Sequence, residues 1–351
     1  MKSAKRPHLS PPPSSHQKRI SFKKSPVDVN VLPSEVLMAI FHFLPAKAIP
    51  KARIVCRRWN HLINSNADNL PKIYIEDISI AGGEDDSNVL CVQFDHHRRS
   101  INESFEWLLN SASKMRPSMQ ALLRHIVITS RLAFDNCKAL TDAIFDELCQ
   151  CSASFGERAG VALIRVDLRK ITPNGLVRFL SSANSLFHFV DMDVVMVQQT
   201  FIADSSLAAI TGGKLQRFHY VGFAINRQGK KVYDLKHVTG ESLKHFAQSP
   251  TPLRDIALAY SSRIRPLDVI SFIDAWQKNV HACKLSRVTL CHSSSVNYTL
   301  MEEPLLNSTF ETRYFPRDRK FLIKHLTIAD HVLEISLPAR CDLVYKYDMG
   351  V

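Results

Sequence analysis

The segment that most constrains this chain is residues 32–63, LPSEVLMAIFHFLPAKAIPKARIVCRRWNHLI. Its apolar residues form two stripes with helical spacing, and the Leu44-Pro45 break separates them. The first stripe contains Val36, Leu37, Ile40, Phe41 and Leu44, and the second contains Ile49, Ala52, Cys56, Trp59 and Ile63. A module of this length cannot bury enough apolar surface to be stable by itself. The stripes therefore predict a partner, either another chain or the rest of this one.

The order of these residues resembles the F-box, the segment by which substrate receptors dock onto a ubiquitin ligase. The resemblance implies a three-helix module at residues 28–69 that binds a Skp-family adaptor, which in turn binds a cullin scaffold with its RING subunit. Residues at the family's docking and core positions are Leu32, Pro33, Val36, Ile40, Phe41, Leu44, Ile49, Val55, Cys56 and Trp59. Ala48 departs from the family, which usually has an acidic helix cap there, and the missing cap costs roughly 1 kcal/mol. The alternative is an ordinary helical hairpin that covers the end of a repeat domain.

From about residue 70 onward, an apolar pattern of the form Leu-x-x-φ-x-φ recurs, where φ is an apolar residue. The copies are Leu70/Ile73/Ile75, Leu123/Ile126/Ile128, Leu163/Val166/Leu168, Phe187/Val190/Met192, Leu215/Phe218/Tyr220, Leu253/Ile256/Leu258, Leu285/Val288/Leu290 and Ile323/Leu326/Ile328. This pattern is typical of the strand of a leucine-rich repeat. Short segments such as Leu140-Thr-Asp and Val238-Thr-Gly lie between copies and carry residues that suit helix caps.

The predicted fold is therefore α/β: a three-helix F-box, then a leucine-rich-repeat solenoid at residues 70–351, with parallel strands on one side and short helices on the other. It resembles the irregular repeats that often follow an F-box, and its divergence resembles the F-box sets expanded in nematodes. The spacing of the middle apolar residues ranges from 24 positions (Val166 to Val190) to 53 (Ile73 to Ile126). This unevenness leaves a generic α/β fold as a competing interpretation.

The first 27 residues contain seven Lys and Arg residues, five prolines and no acidic residue, which predicts a disordered basic tail. Two basic pairs, Lys5-Arg6 and Lys18-Arg19, resemble a two-part nuclear import signal, with a simple solvated tail as the alternative. We expect a nuclear or cytoplasmic protein, or one found in both. The net charge is +12, so subtracting the tail's seven charges leaves +5 for the body. That charge is too dilute to predict a nucleic-acid groove.

The sequence contains no catalytic motif such as G-x-S-x-G, H-E-x-x-H or a phosphate-binding loop, and its eight cysteines form no C-x-x-C pair. We expect no catalytic residue, no cofactor, no metal and no membrane span. The favoured function is substrate recognition in an SCF-type ubiquitin ligase, with a protein target held by the repeats. Alternatives are a nucleic-acid- or chromatin-associated protein and an F-box protein that acts without ubiquitination. The candidate target-binding residues alternate with buried strand positions and are Arg165, Asp167, Arg217, His219, Asp255, Arg287 and Thr289.

Overall fold

The structure is a computed structural model that describes residues 31–82, 89–96, 99–108, 119–138, 140–196, 202–225, 231–232, 235–291, 293 and 295–338. The basic tail at residues 1–27 lies outside this described part. Within the described ranges, no helix has the length and apolar character needed to cross a bilayer.

Helices occur along the whole described chain, and the first three form an N-terminal module. The α-helices are α1 (Ser34–Phe43), α2 (Ile49–Arg53), α3 (Arg57–Ser65), α4 (Met119–Leu123), α5 (Asp142–Cys149), α6 (Pro173–Leu186), α7 (Asp204–Leu207), α8 (Gly240–Gln248), α9 (Pro266–Lys278) and α10 (Tyr298–Leu306). We call residues 31–70, which hold α1 to α3, the helical module. Its buried core consists of Leu37, Phe41, Ile49, Ala52, Ile63 and Leu70.

Two sequence features set the helix boundaries in this module. Leu44 has an extended backbone before Pro45, and α1 therefore ends at Phe43. Helix α2 begins after Ala48 without a side-chain cap and has Pro50 in its first turn. The missing cap predicted at Ala48 is confirmed, and the proline supplies a backbone already restricted to helical φ.

The rest of the described chain contributes thirteen strands to one sheet. They are β1 (Ile73–Gly82), β2 (Val89–His96), β3 (Arg99–Leu108), β4 (Ile126–Asp135), β5 (Gly160–Asp167), β6 (Phe189–Met196), β7 (Arg217–Ile225), β8 (Lys231–Val232), β9 (Asp255–Ala259), β10 (Leu285–Cys291), β11 (Thr312–Phe315), β12 (Lys320–Lys324) and β13 (Val332–Ser336). The order across the sheet is β11-β12-β13-β10-β9-β7-β6-β5-β4-β1-β2-β3, and β8 pairs with β7. The fold is thus mixed α/β, with a helical module followed by a strand-rich sheet.

The central strands are parallel and follow one another in chain order. Parallel pairing joins each strand to the next in the series β1, β4, β5, β6, β7, β9, β10 and β13. At least one helix lies in every connection between them. Alternate strand side chains, among them Val190, Phe218, Ile256 and Val288, join the buried helix residues in a single apolar core. The strand residues between those core positions form the opposite side of the sheet, which we call the outer face.

Hydrogen bonds that aspartates accept join successive helices at their N-termini. Asp142, the first residue of α5, accepts bonds from the backbone N–H and hydroxyl of Thr172, at 2.8 and 2.6 Å. Asp204, the first residue of α7, accepts the same pair from Thr239, at 2.9 and 2.7 Å. Both threonines cap helices, because Thr172 Oγ1 accepts from the N–H of Gly175 and Thr239 Oγ1 accepts from that of Glu241. The predicted capping role is therefore confirmed for Thr172 and Thr239. Thr141 precedes α5 without a side-chain cap bond, and Asp142 and Asp204 bind the threonine of the next helix instead of capping their own.

The structure corrects two of the predicted strand copies. Ile323, Leu326 and Ile328 do not form a repeat strand, because Ile323 lies on the antiparallel strand β12 and Leu326 is exposed beyond its end. The parallel strand beside β10 is instead β13, whose Leu333 and Ile335 are buried.

The copy Leu163/Val166/Leu168 is out of register with its neighbours. Val161 and Leu163 pair with Val190 and Met192, and the register shifts between Leu163 and Val166. Arg165 lies in this irregular part of β5, with a φ of 54°. Because Val161, Leu163, Val166 and Leu168 are all buried, apolar spacing alone does not distinguish the two registers.

Candidate functional site

Helix α1 carries two apolar stripes with different surroundings. Leu37, Phe41 and Leu44 pack into the core of the helical module. Val36, Ile40 and Phe43, spaced four and three residues apart, are exposed on a second stripe, and Phe43 is 91% exposed. An exposed apolar row on so small a module is typical of a protein-docking surface.

A second group of exposed apolar side chains lies where α2 ends and the chain turns into α3. Ile54 is 86% exposed, and its neighbour Val55 is also exposed. The sequence-based prediction placed Val55 among the adaptor-binding residues, but it did not include Ile54 or Phe43. Phe43 could have been found, because it lies seven residues after Val36 and therefore on the same side of the helix.

The predicted adaptor-binding residues fall into three groups by burial. Pro33, Val36, Ile40 and Val55 are exposed, Leu32, Leu44, Cys56 and Trp59 are half-buried, and Phe41 and Ile49 are buried. Only the first two groups can contact a partner directly. Phe41 and Ile49 belong to the core of the helical module and support the exposed residues from beneath.

Trp59 supports the helical module from within. Its ring packs edge-on against Phe41, with centroids 5.0 Å apart. Polar contacts hold the helices at fixed angles, since Arg58 donates to Ser34 of α1 and Arg53 of α2 donates to Asn60 of α3. The exposed apolar residues are therefore presented by a packed scaffold.

Four of the predicted target-binding residues meet on the outer face. In the sheet register, Arg217 of β7 lies beside Asp255 of β9, which lies beside Arg287 of β10. His219 Nε2 is 3.2 Å from Asp255 Oδ1, and its Nδ1 is 3.5 Å from Asp191 Oδ1. Arg287 bridges Asp255 and Glu334, with Nη1 3.8 Å from the former and Nε 3.0 Å from the latter. Sequence analysis missed Asp191 and Glu334, which complete this network.

The remaining three candidates lie at the margins of that network. Thr289 is half-buried on β10, in register with Ala257. Arg165 pairs with Asp135 at 2.8 and 3.1 Å. Asp167 is buried, contrary to its expected exposure, and accepts bonds from the backbone and side chain of Arg169. Arg165 and Asp167 do not align with Arg217 and His219, because Val161 lies beside Val190 where the predicted copy placed Val166, five residues further along β5.

Electrostatics on the outer face favour the ionised form of Asp255. Burial acts to raise the pKa of Asp255, but the adjacent His219 and the cations Arg287 and Arg217 outweigh burial and lower that pKa overall. The geometry suits the recognition of charged groups. Over the described ranges, no group of three or more His, Cys, Asp or Glu side chains is placed to hold a metal ion.

Comparison with known families identifies the helical module. A family model described as F-box-like matches residues 29–68. This match covers the two exposed apolar groups and all of the core beneath them except Leu70. A comparison with curated proteins finds no match. The chain therefore contains an F-box-like domain, a class of domain that binds Skp-family adaptors and is typically found in substrate adaptors that are not themselves catalysts.

Proposed function

We propose that this chain is a non-catalytic substrate-recognition adaptor of an SCF-type ubiquitin ligase. Its F-box-like domain binds a Skp-family adaptor, which connects it to the cullin and the RING subunit. The observation that carries the proposal is the pair of exposed apolar groups within the matched residues 29–68. The contacting residues in this proposal are Leu32, Pro33, Val36, Ile40, Phe43, Leu44, Ile54, Val55, Cys56 and Trp59.

The sheet then serves as the target-binding part, in the form of irregular leucine-rich repeats over residues 70–351. Support comes from parallel strands that follow chain order, a helix in each connection and aspartates that join successive helices. The target is a protein that contacts the outer face. In this proposal the protein works in the nucleus, the cytoplasm or both, and the basic pairs Lys5-Arg6 and Lys18-Arg19 would direct any import into the nucleus.

Adaptor binding is tested by affinity capture of the full chain expressed with a Skp-family adaptor. Ile40→Asp and Phe43→Asp each place a charge in the proposed interface. We expect each to reduce adaptor recovery about tenfold or more, because burying an uncompensated charge at an interface costs over 1.4 kcal/mol. His42→Asp is the matched control, since His42 is exposed on the same helix but lies about 200° around it from Ile40.

The adaptor assignment would be contradicted if Ile40→Asp and Phe43→Asp both recovered the adaptor at the wild-type level. It would also be contradicted if His42→Asp reduced adaptor recovery as much as they do. Trp59→Ala is a poorer test, because it removes packing against Phe41 and destabilises the module itself.

Recovery of the cullin with the adaptor distinguishes a ligase subunit from an F-box protein that acts without ubiquitination. A ligase subunit retains both, whereas the alternative retains the adaptor alone.

A further inference from the structure

Basic side chains gather at the edge of the sheet where four neighbouring strands begin. Arg158 precedes β5, His188 precedes β6, Lys214 precedes β7 and Arg254 precedes β9. The strands lie side by side in the order β9-β7-β6-β5, so His188 lies between Arg158 on one side and Lys214 on the other. We call Arg158, His188, Lys214 and Arg254 the basic edge.

Backbone hydrogen bonds fix the spacing of the basic edge. The carbonyl oxygen of His188 accepts from the N–H of Gln216, and that of Gln216 accepts from the N–H of Arg254, both at 2.8 Å. On the other side, the His188 N–H donates to the carbonyl oxygen of Ala159, the residue after Arg158, at 2.7 Å. Because neighbouring strands lie about 4.8 Å apart, the backbones of Arg158 and Arg254 are about 15 Å apart, with His188 between them.

Within the described ranges, Arg158, Lys214 and Arg254 form no ion pair with a carboxylate. Lys214 is half-buried, and its Nζ donates to the carbonyl oxygen of Leu186 at 2.8 Å. Arg254 contacts the thiol of Cys283, and burial raises the pKa of that thiol, so this partner is neutral near pH 7. The three cations therefore keep hydrogen-bond donors and charge for a ligand.

The pKa of His188 shows that positive charge dominates at this edge. Burial lowers this pKa, and Arg217, Arg254, Arg158 and Lys214 lower it further. Arg217 is already paired on the outer face and does not belong to the basic edge. The other three cations all act on the same imidazole, so a single ligand beside His188 lies within reach of their fields.

The charge of the basic edge matches one doubly negative group. The carboxylate that acts on Lys214 is the exposed Glu157, so three cations minus one carboxylate leave +2. A phosphoryl group carries about −1.5 to −2 charge near pH 7 and has three strong acceptor oxygens. A carboxylate offers a single charge and two oxygens, and it therefore leaves part of the positive charge uncompensated.

We infer that the basic edge binds a phosphoryl group, with Lys214 and the guanidinium groups of Arg158 and Arg254 donating to its oxygens. Arginine binds phosphate through paired hydrogen bonds, and lysine adds a compact point charge. Two sources share this chemistry, a free phosphate and a phosphorylated side chain of a protein. The inference does not rest on the proposed function, because the basic edge lies outside residues 29–68.

The edge does not carry the long track of unpaired cations that a nucleic acid requires. Farther along it, Lys72 before β1 lies 3.6 Å from Asp68, and Lys284 before β10 lies 3.8 Å from Asp330. A polyanion gains its affinity by contacting many cations in succession. The charge between Arg158 and Arg254 suits one compact group instead.

Isothermal titration calorimetry on the full chain tests the inference in two arms. One arm uses inorganic phosphate, and the other uses a Gly-Ser peptide with one central phosphoserine; the unphosphorylated peptide and single-stranded DNA are comparison probes. We expect Arg158→Gln and Arg254→Gln each to weaken phosphate binding about tenfold. Arg178→Gln is the matched control, because it removes the same charge from helix α6, where Arg178 is already bound to Asp146. Arg254→Lys, which keeps the charge but not the paired bonds, should give an intermediate loss.

Binding in either phosphate arm that weakens in Arg158→Gln and Arg254→Gln supports the inference, and the arm with the greater affinity identifies the source. Absence of binding in both arms, equal binding of the two peptides without binding of inorganic phosphate, or equal weakening by Arg178→Gln would overturn it. Tighter binding of DNA through Arg158 and Arg254 would overturn it as well. Both arginines are exposed, so their glutamine variants should fold, and thermal melts check this. Lys214→Gln is a poorer test, because it also removes the bond to Leu186.

Discussion

Replacing Asp204 by alanine tests whether the joined helix N-termini hold the sheet domain together. The carboxylate accepts bonds from the Thr239 N–H, the Thr239 hydroxyl and the Ser242 hydroxyl. A hydrogen bond to a charged group contributes roughly 1.5–3 kcal/mol, and the partial exposure of Asp204 reduces this to about 1 kcal/mol for each bond. We therefore expect Asp204→Ala to lower the free energy of unfolding by about 3 kcal/mol, which corresponds to a fall in Tm of about 4–5 °C for a chain of this length.

Thermal and denaturant melts of the full chain measure this loss. Asp274→Ala is the matched control, because Asp274 is an exposed aspartate in the body of α9. A double-mutant cycle with Thr239→Val should return a coupling of about 1 kcal/mol or more between the two side chains. If Asp204→Ala melts like the Asp274 control, the contact between α7 and α8 does not stabilise the domain and the reasoning is wrong.

Two further predictions concern packing and pH. Gly175→Ala should destabilise the chain, because the new Cβ would lie 2.1 Å from Asp142 Oδ1. Thermal melts should show a smaller loss of stability when Asp142→Ala is also present, because that change removes the clashing carboxylate. Stability losses that simply add would contradict the clash. Burial, reinforced by Arg53, Arg124 and Lys72, lowers the pKa of His125 to about 4, whereas an unfolded imidazole titrates near 6.5. The unfolded state thus binds the proton first, so the free energy of unfolding should fall as pH drops from about 6.5 to 4, and His125→Gln should flatten that slope in denaturant titrations. An unchanged slope would assign the effect to other groups, such as His188 and His325, whose pKa values burial also lowers.

The helical module could be predicted closely because its signals are local. The Leu44-Pro45 break, the Ala48 departure and the spacing of Leu37 and Phe41 all act within one or two helical turns. Which apolar residues stay exposed is not a local property. Val36 and Leu37 are adjacent and equally apolar, and only the packing of α1 against α3 decides that Leu37 is buried.

The strands could be predicted where each has one apolar face, as in Val190/Met192 and Ile256/Leu258. The prediction failed where both possible registers are apolar, as in β5. It also failed near the end of the described chain, where β11 and β12 insert an antiparallel pair before β13. Pairing between strands distant in sequence sets these registers, and no single stretch of sequence carries that information.

The same dependence on register explains why the charged network on the outer face was only partly predicted. The alternation within each strand identified Arg217, His219, Asp255 and Arg287 as outer-face residues. Their partners Asp191 and Glu334 become neighbours only after β6 aligns with β7 and β10 with β13.

The two surfaces differ in chemistry in a way that suits two different tasks. The exposed stripe on α1 is apolar, and apolar burial provides affinity without strict directional requirements. The charged network on the outer face depends on directional bonds, which discriminate between partners more than they add affinity. An adaptor must bind one constant partner firmly and choose among many candidate targets. The apolar stripe fits the first task and the charged network on the outer face fits the second, so variants in each surface should impair one kind of binding and leave the other intact.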